Sequence, residues 1–219
     1  MEIWTNNDLW LHKNLIKEDA ALTKASDAIK NTNLPQMEVS PAMGKFLYLL
    51  AKIAGAKRIL ELGTYYGYST MWLAKSLPCD GIVISLESCA LFADMAQENI
   101  NEAGLSDKVS IIQGDAAALL KKLIVEKADP FDMIFIDAHK PSYPEYLELS
   151  LLLSKPGTVI CGDNVVREGE LPNISNTSPI ITGVREFIEA LGTLESVEST
   201  AIQTVGIKGY DGFTLSVVK

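Results

Sequence analysis

The segment KRILELGTYYGYS, residues 57–69, has the pattern of a buried strand, a glycine turn and the start of a helix. Its apolar run ends at Leu62, Gly63 and Gly67 frame the turn, and a helix is predicted over residues 68–76. A strand that passes directly into a helix is the repeating unit of a parallel sheet. This segment therefore predicts an α/β fold.

The same unit recurs along the chain. Further strands are predicted at residues 82–87, 109–112, 133–137 and 158–161, each separated from the next by a helical segment. Residues 197–203 and 213–218 predict two final strands, joined by a glycine-rich segment at 206–212, which favours an antiparallel hairpin. We expect a Rossmann-like, doubly wound, mainly parallel sheet of seven strands with a C-terminal antiparallel hairpin.

The N-terminal part is predicted to be helical. One helical pattern covers residues 7–31, and a second helix begins with Ser40 as N-cap and Pro41 in the first position, ending at Gly55. Residues 168–179 are interpreted as a polar loop, with a mobile lid and a plain surface loop as equal alternatives. We expect one domain over residues 1–219, with a helical extension at 1–55 and a cofactor- and metal-binding α/β core at 56–219.

Composition excludes several function classes. The formal net charge is −9, which argues against a nucleic-acid backbone or an anionic membrane as the main partner. Three scattered cysteines predict neither a disulfide framework nor a zinc site. The first residues lack the basic and apolar regions of a signal peptide, so a cytoplasmic location is expected.

The turn at Gly63 indicates a nucleoside cofactor without phosphates. A dinucleotide site requires Gly-x-Gly-x-x-Gly, whereas only Gly63 and Gly67 are present and bulky side chains lie between them. S-adenosylmethionine is the commonest cofactor of that kind. Glu87, at the end of the second strand, is expected to accept hydrogen bonds from the ribose hydroxyls. Asp115 and Ala116 are expected beside the adenine, and Glu61 facing the methionine ammonium; a plain strand-to-helix connection is the alternative.

Two acidic positions follow the fourth and fifth strands. Asp137 ends the fourth, and Asp163 with Asn164 ends the fifth. Two carboxylates and an amide at one sheet edge offer the oxygen ligands that a hard divalent cation prefers. Mg²⁺ is the expected metal, with Mn²⁺ and Ca²⁺ as alternatives. Read singly, Asp137 is equally a strand-end cap and Asp163 a turn residue.

Taken together, these motifs resemble the metal-dependent small-molecule O-methyltransferases, the group of catechol and caffeoyl-CoA O-methyltransferases and their bacterial relatives. The resemblance runs from about Met37 to the C-terminus. It is carried, in order, by the segments MEVSP (37–41), ELG (61–63), GYS (67–69), Glu87, GDA (114–116), IDAHK (136–140) and DN (163–164).

The resemblance implies a site and a reaction. It implies cofactor contacts from Met37, Val39, Glu61, Gly63, Thr64, Ser69, Glu87, Asp115, Ala116 and Asp137. It implies metal ligation by Asp137, Asp163 and Asn164, with Lys140 and Asp137 as the catalytic residues and Lys140 as general base. The expected acceptor is a catechol-like phenol, since two vicinal hydroxyls can chelate the metal. The resemblance also implies a homodimer.

Two departures from the family pattern bear on the acceptor. His139 replaces the second acid of the common Asp-Ala-Asp-Lys motif, and residues 165–169 lack the tryptophan typical of plant enzymes. The second departure weakens the case for a coenzyme A thioester. Two rival functions are a nicotinamide-dependent oxidoreductase, disfavoured by the missing third glycine, and a non-catalytic S-adenosylmethionine-binding protein, disfavoured by Asp137, Lys140, Asp163 and Asn164.

Overall fold

A computed structural model describes residues 2–219 and contains one seven-stranded sheet. The strands are β1 (Arg58–Leu62), β2 (Ile82–Glu87), β3 (Val109–Gln113), β4 (Phe131–Ile136), β5 (Ser154–Asp163), β6 (Val197–Gly206) and β7 (Gly209–Val218). Their order is β3-β2-β1-β4-β5-β7-β6; the first five are parallel, and β7 is antiparallel to both β5 and β6. The predicted fold class is confirmed.

Helices cover both faces of the sheet. They are α1 (Glu2–Leu15), α2 (Ala20–Lys30), α3 (Pro41–Ile53), α4 (Tyr68–Ser76), α5 (Ala90–Glu102), α6 (Ala116–Val125), α7 (Tyr143–Leu152) and α8 (Pro179–Thr193). Ile59 of β1 packs into a core with α2, α3, α4 and α5, whereas Leu60 and Leu62 pack with α6, α7 and α8. Successive strand residues point to opposite faces, so the sheet separates two hydrophobic cores.

The N-terminal helical segment differs from the prediction. The single helical pattern expected at residues 7–31 is two helices, α1 and α2, separated at residues 16–19. Asp19 causes the restart because its extended backbone and side chain cap α2, accepting a hydrogen bond from the Leu22 N–H at 3.1 Å. The third helix agrees with the prediction, since Ser40 Oγ accepts from the Met43 N–H and Pro41 occupies the first helical position.

The C-terminal third contains an element that the sequence analysis does not predict. Helix α8 follows Ser178, which caps it through Ile181 N–H, and buries the apolar stripe of Ile181, Val184, Phe187 and Leu191. The predicted hairpin is present, but its strands are longer than expected, because only residues 207 and 208 form the turn between them. The glycines expected in a loop instead continue the ladder, with Gly206 opposite Gly209.

No helix within residues 2–219 combines the length and the hydrophobicity that are needed to cross a bilayer.

Candidate active site

The predicted site residues converge on one cavity at the carboxyl ends of the parallel strands. Its volume is about 1740 Å³. Of the predicted cofactor, metal and catalytic residues, all except Glu61 line it. Open α/β sheets bind ligands at the carboxyl ends of their strands, at the point where the strand order reverses. In this sheet the order reverses between β1 and β4. Acidic side chains outnumber basic ones along the wall, an environment that suits a cationic ligand.

Glu87 organises the turn after β1. Its Oε2 accepts hydrogen bonds from the backbone N–H groups of Thr64 (3.1 Å) and Tyr65 (2.9 Å), and its Oε1 accepts from Cys89 N–H at 2.9 Å. Three donors fix the carboxylate and occupy three of its roughly four lone-pair sites, which leaves one site on Oε1. The carboxylate is therefore positioned at the cavity wall with the capacity to accept a further hydrogen bond, as a ribose hydroxyl would provide.

Glu61 lies behind the cavity wall rather than on it. Its side chain is fully buried and accepts hydrogen bonds from three hydroxyls, those of Ser69 (2.6 Å), Thr70 and Ser85 (2.7 Å). Burial raises the pKa of Glu61 to about 7, against the lowering effect of these three hydrogen bonds. The expectation that Glu61 itself faces the methionine ammonium does not match this geometry. Ser69, which donates to Glu61, is the residue that reaches the cavity.

Gly63 permits a close approach between two segments of the site. Its φ is +92°, and a Cβ added there would lie 2.0 Å from the carbonyl oxygen of Asp137. Asp137 in turn donates its N–H to Leu62 O at 2.9 Å. The glycine therefore allows the turn after β1 to pack directly against the segment that carries Asp137.

Lys140 is held between two partners. The short turn at Lys140–Ser142 follows Asp137, and Lys140 Nζ lies 2.7 Å from Asp137 Oδ1 and 2.6 Å from the Tyr143 hydroxyl. The side chains of Lys140 and Asp137 are 11% and 21% exposed, so the ion pair is shielded but reaches the cavity. Tyr143 was not predicted as a site residue.

Asp163 and Asn164 form the end of β5. Asp163 Oδ1 accepts from the Asn164 N–H at 2.9 Å, and Asn164 adopts a left-handed backbone with φ of 55°. Desolvation and the nearby carboxylate of Asp137 raise the pKa of Asp163 to about 7, although Lys140 opposes this shift. Lys140 therefore compensates only part of the negative charge that the two aspartates concentrate here.

The donor set fits a divalent cation. Two carboxylates and the Asn164 amide supply oxygen ligands only, as Mg²⁺ prefers. Within residues 2–219 no cluster of three or more His, Cys, Asp or Glu side chains is arranged for a metal, so a site here would need the amide as its third protein ligand. The position of Asp137, Asp163 and Asn164 on the wall of one cavity is the observation in favour of that fit.

The loop after β5 is fixed by residues that the sequence analysis missed. Asp211 Oδ1 accepts backbone hydrogen bonds from Val166 (2.9 Å) and Arg167 (3.0 Å), across 45 and 44 residues of chain. Arg185 of α8 donates to four carbonyl oxygens, those of Glu170, Leu171, Asn173 and Asn176. The polar segment interpreted as a lid or a surface loop is therefore wound around one guanidinium.

Two further contacts close the cavity on its N-terminal side. The β6–β7 turn is held by Asp8 of α1, which accepts from Ile207 N–H at 2.9 Å, and by an ion pair of Lys208 with Glu38 at 2.7 Å. His139, the residue that departs from the family motif, is exposed on the cavity wall with Nδ1 3.1 Å from Ser142 Oγ.

The protein has the fold of a class I methyltransferase, as its sheet order and its antiparallel β7 show. The cavity agrees with that class, since Glu87, Asp137 and Asp163 lie on its wall at the ends of β2, β4 and β5. A sequence model of the O-methyltransferase family matches residues 13–218. The chain is 46% identical over 218 residues to a catechol O-methyltransferase of Niastella koreensis, covering 100% of this chain and 99% of the relative.

Solved structures agree. An O-methyltransferase from Bacillus cereus in complex with S-adenosylhomocysteine superposes with a TM-score of 0.97 at 48% identity, covering 100% of this chain and 99% of that one. The O-methyltransferase TomG from Streptomyces achromogenes, involved in tomaymycin synthesis and solved with S-adenosylmethionine, has a TM-score of 0.96 at 44% identity, covering 100% and 98%. The chain belongs to the O-methyltransferase family and is an S-adenosylmethionine-dependent enzyme, as the sequence motifs indicated.

Proposed function

We propose that this enzyme transfers a methyl group from S-adenosylmethionine to one hydroxyl of a catechol-like acceptor, a phenol with two vicinal hydroxyls, and that the reaction requires a divalent cation. The observation that carries the proposal is the group formed by Asp137, Asp163, Asn164 and Lys140 at one end of the cavity. Further support comes from the Niastella koreensis relative, which is a catechol O-methyltransferase.

The cofactor is proposed to bind along the turns that follow β1, β2 and β3. Glu87 would accept from a ribose hydroxyl, with Asp115 and Ala116 beside the adenine and Gly63 and Thr64 along the nucleoside. Met37, Val39, Ser69 and Asp137 would contact the methionine end, where the positive sulfonium and ammonium groups meet an acidic wall. Glu61 would contribute indirectly, by orienting the Ser69 hydroxyl.

The cation is proposed to bind Asp137, Asp163 and Asn164. A cation there would stabilise the acceptor oxyanion and select two adjacent hydroxyls through chelation. Mg²⁺ is the favoured ion, with Mn²⁺ and Ca²⁺ as alternatives, because all three protein ligands are oxygens. The raised pKa of Asp163, caused by desolvation and by Asp137, supports this assignment because the pair has excess negative charge.

Lys140 is proposed as the general base. In its neutral form the Lys140 amine takes the proton of the reacting hydroxyl, the acceptor oxygen forms a bond to the methyl carbon, and the carbon–sulfur bond breaks to leave S-adenosylhomocysteine. An in-line displacement of this kind depends on holding donor and acceptor in alignment, which is the role of the shared cavity. The 2.7 Å contact with Asp137 keeps the amine beside the proposed cation site.

The test is methyl transfer from labelled S-adenosylmethionine to catechol and to resorcinol, each with Mg²⁺ and with a chelator. We expect product from catechol with Mg²⁺ alone, because the 1,3-hydroxyls of resorcinol cannot chelate one ion. Equal rates for both phenols, or product in the presence of chelator, would contradict the proposal.

A matched pair of variants tests the ligand assignment. Asp163→Ala is expected to lose metal-dependent turnover while calorimetric binding of S-adenosylmethionine is kept, whereas Asp107→Ala, in the short turn before β3, serves as a control that keeps both. Normal turnover in Asp163→Ala would remove Asp163 from the metal site.

We also propose that the enzyme is a homodimer. Support comes from exposed apolar side chains on α1, including Leu9, Trp10 and Leu15, at 52%, 65% and 69% exposure. Helix α1 lies beside β6, the edge strand of the sheet, and Asp8 of α1 accepts a hydrogen bond from Ile207 in the turn after β6. Exposed apolar groups of this size in one region are typical of an interface.

A further inference from the structure

Tyr143 lies at a junction behind Lys140. It is the first residue of α7 and is fully buried. Its hydroxyl accepts a hydrogen bond from Lys140 Nζ at 2.6 Å and lies 2.9 Å from two carbonyl oxygens, those of Ile136 and Asp163. These carbonyls belong to the ends of β4 and β5, the two strands that deliver Asp137 and Asp163.

The direction of these hydrogen bonds is fixed by chemistry. A phenol has one proton, and a carbonyl oxygen can only accept, so the Tyr143 proton points to the two carbonyls. The phenol oxygen must then present a lone pair to Lys140. Tyr143 can therefore bind the lysine nitrogen only as an acceptor of an N–H group.

This arrangement orients the amine. The neutral form of Lys140, which is the form that can act as a base, has two hydrogens and one lone pair on nitrogen. Its two fixed neighbours, Asp137 Oδ1 and the Tyr143 hydroxyl, are both acceptors at hydrogen-bond distance, so they take both hydrogens. The lone pair is left in the remaining direction, away from the buried Tyr143. Lys140 also lines the cavity, where an acceptor hydroxyl would lie.

We propose that Tyr143 is a positioning residue, whose hydroxyl together with Asp137 directs the lone pair of Lys140 at the acceptor proton. The proposal rests on the proposed function of Lys140 as general base. Tyr143 itself touches neither acceptor nor cofactor, since it is not part of the cavity wall. Its ring is held edge-on against Phe187 of α8, with centroids 5.2 Å apart, so the hydroxyl has a fixed place.

Tyr143→Phe tests this because it keeps the ring contacts and removes only the hydroxyl. We expect kcat to fall about tenfold to a hundredfold, the scale of a misplaced catalytic group. The KM for the acceptor and the Kd for S-adenosylmethionine should change less than about threefold, since no binding contact is lost. A variant with unchanged kcat, or with a raised KM and an unchanged kcat, would overturn the proposal.

A double-mutant cycle separates Tyr143 from Lys140. If Tyr143 acts through Lys140, then adding Tyr143→Phe to Lys140→Ala should lower kcat no further, whereas independent effects would multiply. Multiplying effects would overturn the positioning role. Lys140→Ala measured alone tests the proposed function separately: full kcat in that variant would refute the general base, while a loss there with full kcat in Tyr143→Phe would refute only the role of Tyr143.

Tyr48→Phe is the control for loss of a tyrosine hydroxyl elsewhere. Tyr48 lies on α3 beside Trp72, outside the cavity wall, and its substitution should leave kcat unchanged. Should Tyr143→Phe not fold, as judged by cofactor binding, Tyr143→Leu provides a second variant without any hydrogen-bonding group at that position. It is expected to show the same loss of kcat, and a wild-type kcat would contradict the proposal.

Discussion

Glu61 is the buried carboxyl that accepts a hydrogen bond from Ser69, a residue of the cavity wall, and the ionisation of Glu61 should affect stability. Its pKa rises from an ordinary 4.5 to about 7 in the folded chain, chiefly because burial disfavours the charged form. Between these two values the unfolded chain loses the Glu61 proton while the folded chain keeps it. The free energy of unfolding should therefore fall as the pH rises through this window, by up to about 3 kcal/mol for a shift of this size.

The measurement is denaturant unfolding of the cofactor-free enzyme from pH 4.5 to 8, for wild type and for Glu61→Gln. The neutral amide removes the Glu61 titration, so the variant should gain stability relative to wild type as the pH rises. Comparing the two chains cancels the titration of Asp163, which is present in both. Glu98→Gln, at an exposed position on α5, is the control. A stability difference between Glu61→Gln and wild type that does not vary with pH would show that Glu61 ionises normally.

At the level of single residues, the sequence predicted the residues that line the cavity better than the residues that support them. Glu87, Asp137 and Asp163 each end a strand, and strand ends at one edge of a parallel sheet meet in space. Tyr143 and Asp211 gave no such signal. Tyr143 reaches Lys140 only because a short turn precedes α7, and Asp211 contacts residues that lie 44 and 45 positions away. Glu61 and Ser69 were identified, but Thr70 and Ser85, the other two residues whose hydroxyls enclose Glu61, were not.

Among the elements, α8 supports the turn that carries Lys140. Gly183 packs against this turn so closely that an added Cβ would lie 2.5 Å from Lys140 O and 2.7 Å from Pro141 Cα. Gly183→Ala must therefore displace either the helix or the turn, and overpacking of this kind costs about 1–3 kcal/mol. We expect kcat to fall at least about tenfold, because the Lys140 amine moves with its backbone. Cofactor affinity should be kept, since the turns after β1, β2 and β3 are not involved.

Gly192→Ala, on the same helix, is a matched control for this prediction. A Cβ at Gly192 meets no atom within 4 Å, so alanine there should raise helix stability by about 1 kcal/mol and leave kcat unchanged. Steady-state kinetics of the two variants, with calorimetry of cofactor binding, make the comparison. Equal kcat values in both would mean that α8 does not position Lys140.

Helix α8 also shows what sequence patterns left out at the element scale. Ser178 and Pro179 give the same start signal as Ser40 and Pro41, and the buried stripe from Ile181 to Leu191 is amphipathic. The polar segment before it drew the interpretation toward a loop. For α1 and α2 the sequence analysis predicted too much helix instead of too little. The helical spacing continues through residues 16–19, so the cap at Asp19 was not recognised as the start of a second helix. Local patterns identify apolar periodicity well but miss boundaries set by one capping residue.

For the whole molecule, the sheet was the most predictable feature, because each buried parallel strand is an apolar run between turn residues and the final hairpin has its own glycine signal. The strand order reverses once, between β1 and β4, as is typical of a doubly wound sheet. How the surface of the molecule associates with another copy is not encoded in such patterns. That question depends on which apolar side chains remain exposed after folding.

Dimerisation through α1 is the prediction that belongs to this scale. Sedimentation of the wild type should give about 48 kDa, twice the chain mass of 23.9 kDa. Trp10→Glu should shift the mass toward one chain, because a twofold interface over α1 would bury the new charge once in each protomer. Val125→Glu, at an 81% exposed position at the end of α6, is the control and should remain dimeric.

A wild type that sediments as one chain would refute the homodimer. A Trp10→Glu variant that stays dimeric would leave the dimer but exclude α1 as its interface, and the edge strand β6 would then be the surface to substitute next.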